Sequence, residues 1–192
     1  MIRIGIVGRI GSGKSYISKQ FGYPVFNADI EVNKIYKRSN KCFKKLKNKI
    51  PNYVFSFPVR KKEIINAILA KKNNLKIITK IIHPQIRINL NKFIVKNKDK
   101  KVVILDIPLL MENKIREKKD ILIFVEANSK EINKRLKKRP NFSLKIIKQF
   151  KNLQISPEIK KKHADFIIKN NFKHNSSKNS VKKIMKKILL NA

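Results

Sequence analysis

The sequence GRIGSGKS at residues 8–15 has the pattern G-x-x-x-x-G-K-S, and the rest of the chain can be interpreted outward from it. Residues 2–7 before it are rich in β-branched side chains and predict a buried parallel strand. Residues 16–21 after it predict a helix. A strand, a glycine-rich loop and a helix in this order surround one anion with backbone N–H groups and a helix N-terminus. Residues 8–15, called the phosphate loop below, therefore predict a nucleotide site in which Lys14 reaches the β- and γ-phosphates and the Ser15 hydroxyl binds Mg²⁺.

The composition of the chain is strongly biased. It has 192 residues, enough for one domain with insertions, and a formal net charge of +36. A surface of this charge attracts anions, so a nucleic-acid or membrane-surface binder is one interpretation. However, 40 Lys, 32 Ile and 21 Asn make up nearly half of the chain, and the lysines are spread along its whole length. Because these three residues share codons built from A and T alone, we favour a genomic bias as the cause.

Three observations on the sequence indicate the cellular setting. A single cysteine, Cys42, excludes an internal disulfide and is typical of a reducing compartment. The chain enters its first predicted strand at once and has no signal-peptide cleavage site. No apolar run approaches the length of a membrane span. We therefore expect a soluble cytoplasmic protein with no membrane partner.

Two further predicted strands end in carboxylates. The sequence VFNAD at residues 25–29 predicts a short strand followed by Asp29, and KVVILD at residues 101–106 predicts a buried strand ending in Asp106. Ligands of parallel sheets bind at the C-terminal ends of strands, so both carboxylates are candidates for a site. Asp106 has the place of the acid that holds Mg²⁺ beside a phosphate loop. Asp29 could instead cap the following helix, and Glu112 adds a charge beside the same site.

The segment from residue 30 to about 100 predicts a basic, mostly helical insertion. His83-Pro84 predicts a break between two helices, the second of which has Arg87 in its first turn. On sequence alone, a histidine before a proline is usually a turn or packing residue. Two more buried strands are predicted at residues 121–125 and 166–168.

Two arginines stand out against the lysine bias. Lys outnumbers Arg five to one, so a position that needs only a positive charge would be expected to carry Lys. Arg135 and Arg139 are four residues apart, hence on one helix face, and Pro140 follows them. The planar guanidinium can form paired hydrogen bonds to phosphate oxygens that an ammonium cannot. The two residues therefore predict a mobile lid that closes on a phosphoryl group, and a solvated helix face is the alternative.

Taken together and in order, these motifs resemble those of the dephospho-CoA kinase family, ATP-dependent enzymes of the last step of coenzyme A synthesis. The resemblance extends from residue 2 to about residue 171. The matching segments are GRIGSGKS, FGYPVFNAD, IIHPQIR, VVILDIPLLMEN, INKRLKKRPNFS and LQISPEIKKKHADFIIKN. The phosphate loop alone occurs in many families, whereas the combination of the other segments is much more specific.

The resemblance implies an α/β fold of the P-loop kinase type, a five-stranded parallel sheet flanked by helices. It implies a single domain with a core of about residues 1–29, 101–134 and 164–192, a helical substrate-binding insertion of about residues 30–100, and a lid of about residues 135–163. The implied reaction is phosphoryl transfer from ATP, with Mg²⁺, to the ribose 3′-hydroxyl of dephospho-CoA, which gives coenzyme A and ADP.

The same resemblance assigns roles to individual residues. Asp29 is expected to be the base that faces the 3′-hydroxyl, and the other expected catalytic residues are Lys14, Arg135 and Arg139. The residues expected to bind ATP are Gly11, Ser12, Gly13, Lys14, Ser15, Tyr16 and Asn170. The residues expected to bind the acceptor are His83, Arg87, Asp106 and Glu112, and the expected metal ligands are Ser15 and Asp106.

Three residues depart from the family pattern. Asn27 stands where the family usually has Asp, Arg9 where Gly is common and Tyr16 where Thr is common. Two other functions stay open. Another small P-loop kinase of nucleosides, nucleotides or metabolites would share every ATP-side residue. A basic nucleic-acid-binding NTPase would explain the charge, but the basic residues are not interleaved with stacking aromatic residues and a functional nucleic-acid partner is not expected.

Overall fold

The computed structural model describes residues 1–113, 115–138 and 143–190. The described residues form two compact units. The sheet unit comprises the described parts of residues 1–27, 97–142 and 151–192, and the helical unit comprises residues 28–96 and 143–150. None of the described helices is both long enough and apolar enough to cross a membrane.

The sheet unit contains five parallel strands in the spatial order β2-β3-β1-β4-β5. The strands are β1 (Ile2–Gly8), β2 (Val25–Asn27), β3 (Val102–Asp106), β4 (Ile121–Glu126) and β5 (Phe166–Lys169). The central strands are apolar nearly throughout, as expected for a parallel sheet covered on both faces. All five strands predicted from the sequence are confirmed, as is the five-stranded parallel sheet flanked by helices.

Helices of the same unit cover the sheet and fix its strand ends. They are α1 (Lys14–Gln20), α6 (Ser129–Lys137), α8 (Pro157–Lys162) and α9 (His174–Leu190). One core cluster joins Ile4 and Ile104 of the sheet to Ile17 of α1 and Ile184 of α9. The register pairs Asn27 with Asp106, so the ends of β2 and β3 lie side by side. This packing places the phosphate loop at the C-terminal edge of the sheet.

The helical unit is built around one long helix. Its helices are α2 (Ala28–Arg38), α3 (Asn40–Lys49), α4 (Lys61–Ala70), α5 (Lys72–Lys96) and α7 (Leu144–Lys151), whose last residue belongs to the sheet unit. The buried side chains of α5 recur at helical spacing along its whole length: Leu75, Ile78, Ile82, Ile86 and Leu90.

The predicted break at His83-Pro84 is wrong, because α5 runs through Pro84 without interruption. Pro84 has no N–H to donate to the carbonyl of Lys80, and a proline inside a helix costs about 3 kcal/mol. Burial of apolar side chains stabilises by about 1.5–3 kcal/mol each. The apolar face continues on both sides of Pro84 and offsets the cost of the proline, so tertiary packing overrides the local preference.

Candidate active site

The phosphate loop has the backbone of an anion-binding turn. Gly11 and Gly13 have φ angles of 86° and 92°, a region that strongly favours glycine. A Cβ atom on Gly13 would lie 2.3 Å from Nδ2 of Asn170, and one on Gly11 would lie 3.0 Å from the side chains of Ile132 and Leu136 on α6. Helix α1 begins at Lys14, directly after the loop. The glycines are therefore required by both the turn and its close neighbours.

Lys14 lies folded over this turn. Its Nζ donates to the carbonyl oxygen of Gly8 at 3.1 Å and to that of Arg9 at 2.9 Å. Both carbonyls belong to the loop itself, so the ammonium group is held at the place where the loop would cradle an anion.

A hydroxyl, an amide and a carboxylate meet beside the loop. Nδ2 of Asn27 donates to the carboxylate of Asp106 and lies 3.5 Å from Oγ of Ser15. Asp106 is 2% exposed, so its carboxylate is fixed at the end of β3. Because residue 27 is Asn where the family usually has Asp, one carboxylate, that of Asp106, lies at this point, and the neutral Asn27 amide orients it. The described residues contain no group of three or more His, Cys, Asp or Glu side chains arranged to hold a metal.

This donor set fits Mg²⁺. The ion keeps several water ligands and in kinases is bound by one or two protein oxygens together with substrate phosphates. Two protein groups here can supply such oxygens, the Ser15 hydroxyl and the Asp106 carboxylate. Both are in contact with the Asn27 amide. They are the residues that would hold the ion.

The segment after β5 closes the other side of the loop. Asn170 is buried, and its Nδ2 donates to the carbonyl oxygen of Ser12 at 2.8 Å. Phe172 follows with φ of 62°, and its backbone N–H donates to Oδ1 of Asn170 at 2.9 Å. The guanidinium of Arg135 lies over the ring of Phe172 at 4.5 Å from the centroid. Arg135 of α6, Phe172 and the phosphate loop thus form one continuous surface of the sheet unit.

Glu112 lies in a buried ion pair. Its Oε1 accepts from Nζ of Lys160 at 2.7 Å and from the backbone N–H of Ile155 at 2.9 Å. The two side chains are 9% and 2% exposed. This pair joins the segment after β3 to α8 and to the residues before it, so the observed contacts of Glu112 are structural. Its predicted contact with the acceptor stays a prediction.

The remaining described candidates belong to the helical unit. Asp29 is exposed and is the second residue of α2, so it lies in the first turn and not at the cap position. His83 and Arg87 are four residues apart on α5 and share a face of that helix. Burial lowers the pKa of His83 below its ordinary value, and the nearby Arg87 lowers it further. Nδ2 of Asn89 donates to Oε2 of Glu31 at 2.9 Å, which ties α5 to the helix that carries Asp29.

Three further positions that the sequence analysis named are Arg139, Arg9 and Tyr16. Arg139 lies outside the described residues. Arg9 points away from the turn, and its guanidinium donates to Oγ of Ser129 at 2.6 Å, at the start of α6. Tyr16 is 38% exposed at the first turn of α1.

Sequence reasoning missed two residues, Phe172 and Lys160, and it left the contacts of a third, Asn27, unspecified. Phe172 is an aromatic residue in a polar stretch, which was the only available signal for it. Lys160 is one of 40 lysines, and no local pattern separates it from the others. Asn27 departs from the family pattern by losing a charge but keeps its hydrogen bonding, and its amide bridges Ser15 and Asp106.

The fold and the loop define a class, that of P-loop kinases. A solved structure of TT1252 from Thermus thermophilus has a TM-score of 0.77 and 26% identity, and covers 99% of this chain and 97% of that one. A dephospho-CoA kinase structure from Campylobacter jejuni has a TM-score of 0.62 and 24% identity, covers 97% and 96%, and supports the fold alone.

The family follows from sequence comparison. The model of the dephospho-CoA kinase family matches residues 2–176. A curated dephospho-CoA kinase of Wolbachia pipientis wMel is 32% identical over 170 residues, which cover 86% of this chain and 87% of the relative. The chain therefore belongs to the dephospho-CoA kinase family. Its activity is ATP-dependent phosphorylation of the ribose 3′-hydroxyl of dephospho-CoA, which gives coenzyme A and ADP.

Proposed function

We propose that the sheet unit binds ATP through the phosphate loop and that Lys14 and Arg135 stabilise charge on the transferred phosphoryl group. The observation that carries this proposal is the fixed geometry around the loop, where the Lys14 ammonium lies over the turn and the Asn27 amide joins Ser15 to Asp106. Phosphoryl transfer depends mainly on positioning and on charge stabilisation, and these groups supply both. Arg139 and Asn170 complete the set, Arg139 on the lid and Asn170 on the nucleotide side.

The proposed metal is Mg²⁺, held by Ser15 and Asp106. When bound, it neutralises negative charge on the β- and γ-phosphates. The protein side of this site is the hydroxyl and the carboxylate, both in contact with the Asn27 amide.

In the proposed reaction the ribose 3′-oxygen attacks the γ-phosphorus, the bond between that phosphorus and the β,γ-bridging oxygen breaks, and ADP leaves. Asp29 orients the hydroxyl and accepts its proton. A carboxylate is a weak base for a free alcohol. It suffices because the proton becomes acidic only as the new bond to phosphorus forms. Asp29 is two residues from Asn27 in the chain, which supports this role.

The helical unit is proposed to bind the acceptor, with His83 and Arg87 as its contacts. Burial and Arg87 both favour the neutral form of His83, which is the form that donates one hydrogen bond and accepts another. Residues 135–163 are proposed as the lid. The use of ATP and the single cysteine support a cytoplasmic location, and nucleic acid is not proposed as a functional partner.

The test is an assay of acceptor choice. The purified chain is incubated with ATP, Mg²⁺ and, separately, dephospho-CoA, nucleosides, nucleotides and shikimate, and products are identified by mass spectrometry. We expect coenzyme A from dephospho-CoA and little product from the others. Lys14→Ala is the control, with an expected loss of about 10²–10³-fold for one missing charge-stabilising group. Preference for another acceptor, or normal turnover of Lys14→Ala, would contradict the proposal.

A further inference from the structure

Helix α5 carries two apolar stripes, and the core of the helical unit uses one of them. The core stripe includes Ile78, Ile82 and Ile86, which are 3 to 5% exposed. A second stripe consists of Ile77, Ile81, Pro84 and Ile88, spaced four, three and four residues apart on another face. Ile88 is 48% exposed, although an apolar side chain at this spacing normally faces a partner.

The second stripe forms the floor of an open groove between α5 and α3. The groove has a volume of about 550 Å³ and is lined by Lys41, Cys42, Lys45, Lys49, Ile77, Lys80, Ile81, Pro84, Gln85 and Ile88. This volume lies within the range of about 300–1,000 Å³ that is typical of binding sites. All of its lining residues belong to the helical unit, and none of them is a residue of the phosphate loop.

The rim of the groove is cationic along its length. Lys41, Lys45 and Lys49 repeat every four residues and form a row on one face of α3. Lys80 lies on the α5 side. Helices α3 and α5 together contain ten lysines and one arginine and no Asp or Glu. Like charges four residues apart destabilise a helix, and an anionic partner would remove that repulsion.

We propose that this groove binds an acidic amphipathic helix of a partner protein. The apolar stripe from residue 77 to residue 88 is about 16 Å long, and the lysine row from residue 41 to residue 49 is about 12 Å long. Negative charge is therefore needed all along one side of the occupant, and apolar side chains along the adjacent side. A helix with that pattern meets both needs by laying its apolar face into the groove. A single-chain lipid carries its charge at one end and would leave most of the row unpaired.

The probe is a synthetic 14-residue peptide with four leucines at the spacing of the α5 stripe and glutamates on the flanking face. Its control is a peptide of identical composition in scrambled order. Binding of each to the full chain is measured by fluorescence anisotropy at 150 mM salt. Since both peptides have the same charge, the ratio of their dissociation constants cancels the general attraction of a +36 surface. We expect the amphipathic peptide to bind about tenfold more tightly or better.

Matched variants locate the binding. Lys41→Gln/Lys45→Gln/Lys49→Gln should abolish the preference, whereas Lys182→Gln/Lys183→Gln/Lys186→Gln, with the same loss of charge on exposed positions of α9, should weaken both peptides equally. Ile88→Ser should reduce the preference by about tenfold, as for an interface anchor. Val95→Ser, on the same helix, 68% exposed and outside the groove, should preserve it. Thermal unfolding of each variant establishes that it is folded.

Vesicles containing phosphatidylglycerol and a 20-nucleotide DNA strand are tested in parallel. Equal binding of the two peptides, or an unchanged preference in folded groove variants, would overturn the proposal. The proposal would also be overturned if the α3 triple variant kept the peptide preference but bound vesicles or DNA more weakly than the α9 triple variant does. Loss of the preference in both groove variants, with both controls like the wild type, supports it. The outcome does not depend on the phosphoryl-transfer reaction.

Discussion

The sheet unit and the helical unit fix their candidate residues in different ways. In the sheet unit, most candidates come from one loop and from strand ends, and backbone atoms provide many of their contacts. Lys14, for example, is held by two carbonyl oxygens of its own loop. In the helical unit, Asp29 and Arg87 are far apart in the chain, and a side-chain contact between Asn89 and Glu31 joins their helices.

This difference indicates which of the two candidate sites can tolerate changes of its side chains. A backbone-built anion site survives changes of side chain that spare its glycines, so Arg9 and Tyr16 can depart from the family pattern. An acceptor site built on helix faces depends on individual side chains. We therefore expect only the substitutions in the sheet unit to raise the KM for ATP.

The largest expected effect is that of Asp29→Asn in the helical unit. Removing the proposed proton acceptor should lower kcat by about 10²–10⁴-fold. The KM for ATP should stay near the wild-type value, because the candidate ATP contacts lie in the sheet unit. Steady-state kinetics with both substrates measure this, and Asp99→Asn, which removes an exposed carboxylate outside α2 and α5, is the control. If Asp29→Asn changed only the melting temperature, Asp29 would be a residue of helix stability and the comparison would fail.

Next in size is the loss of the buried ion pair in the sheet unit. Lys160→Met leaves Glu112 buried without its partner and should cost about 3–5 kcal/mol of unfolding free energy, measured by urea denaturation. The double variant Glu112→Gln/Lys160→Met should recover part of this, because no unpaired charge remains.

Lys161→Met is the matched control for this pair. Lys161 is bound to Glu126 at 2.7 Å but is 45% exposed, so the expected cost is below about 1 kcal/mol. Equal costs for Lys160→Met and Lys161→Met would show that burial does not distinguish these two ion pairs.

A smaller effect is expected for Arg135→Lys. Lysine keeps the charge but loses the planar group that lies over Phe172. It would also lose the paired hydrogen bonds to phosphate that are proposed for Arg135. A lost charge-assisted bond is worth about 1.5–3 kcal/mol, or about ten- to a hundredfold in rate. The kcat should fall more than the ATP KM rises, since the contact is strongest with the lid closed. Arg139→Lys is measured alongside, and wild-type kinetics in both variants would remove the arginines from the site.

The smallest effect concerns pH. Because burial and Arg87 lower the pKa of His83 in the folded protein, the unfolded chain binds more protons between the folded pKa and about 6.5. The contribution of His83 to stability is therefore complete above pH of about 6.5 and is lost as pH falls through the folded pKa. His83→Gln should flatten the fall of unfolding free energy on acidification. An unchanged slope would mean that His83 titrates alike in both states.

Local patterns predicted the sheet unit well. Each strand is a short apolar run, and Gly8–Ser15 combines a turn and a helix start within eight residues. The continuity of α5 could not be predicted, since the proline rule is local and the packing of Ile82 and Ile86 against other helices is not. The contacts of Glu112 with Lys160 and of Phe172 with Arg135 likewise join residues that are distant in the chain. The roles assigned to the site residues, whether from the loop motif, from the arginine pattern or from the family resemblance, stay predictions.

The burial of Lys160 has a consequence for chemical labelling. Amine acylation requires that the reagent reach a deprotonated lysine, and the described lysines other than Lys160 are exposed or half-buried. Lys160 is 2% exposed and its ammonium is paired with Glu112. In a chain so rich in lysine, it is therefore a built-in internal reference: its acylation reports the opening of α8, whereas the acylation of the other described lysines reports the surface.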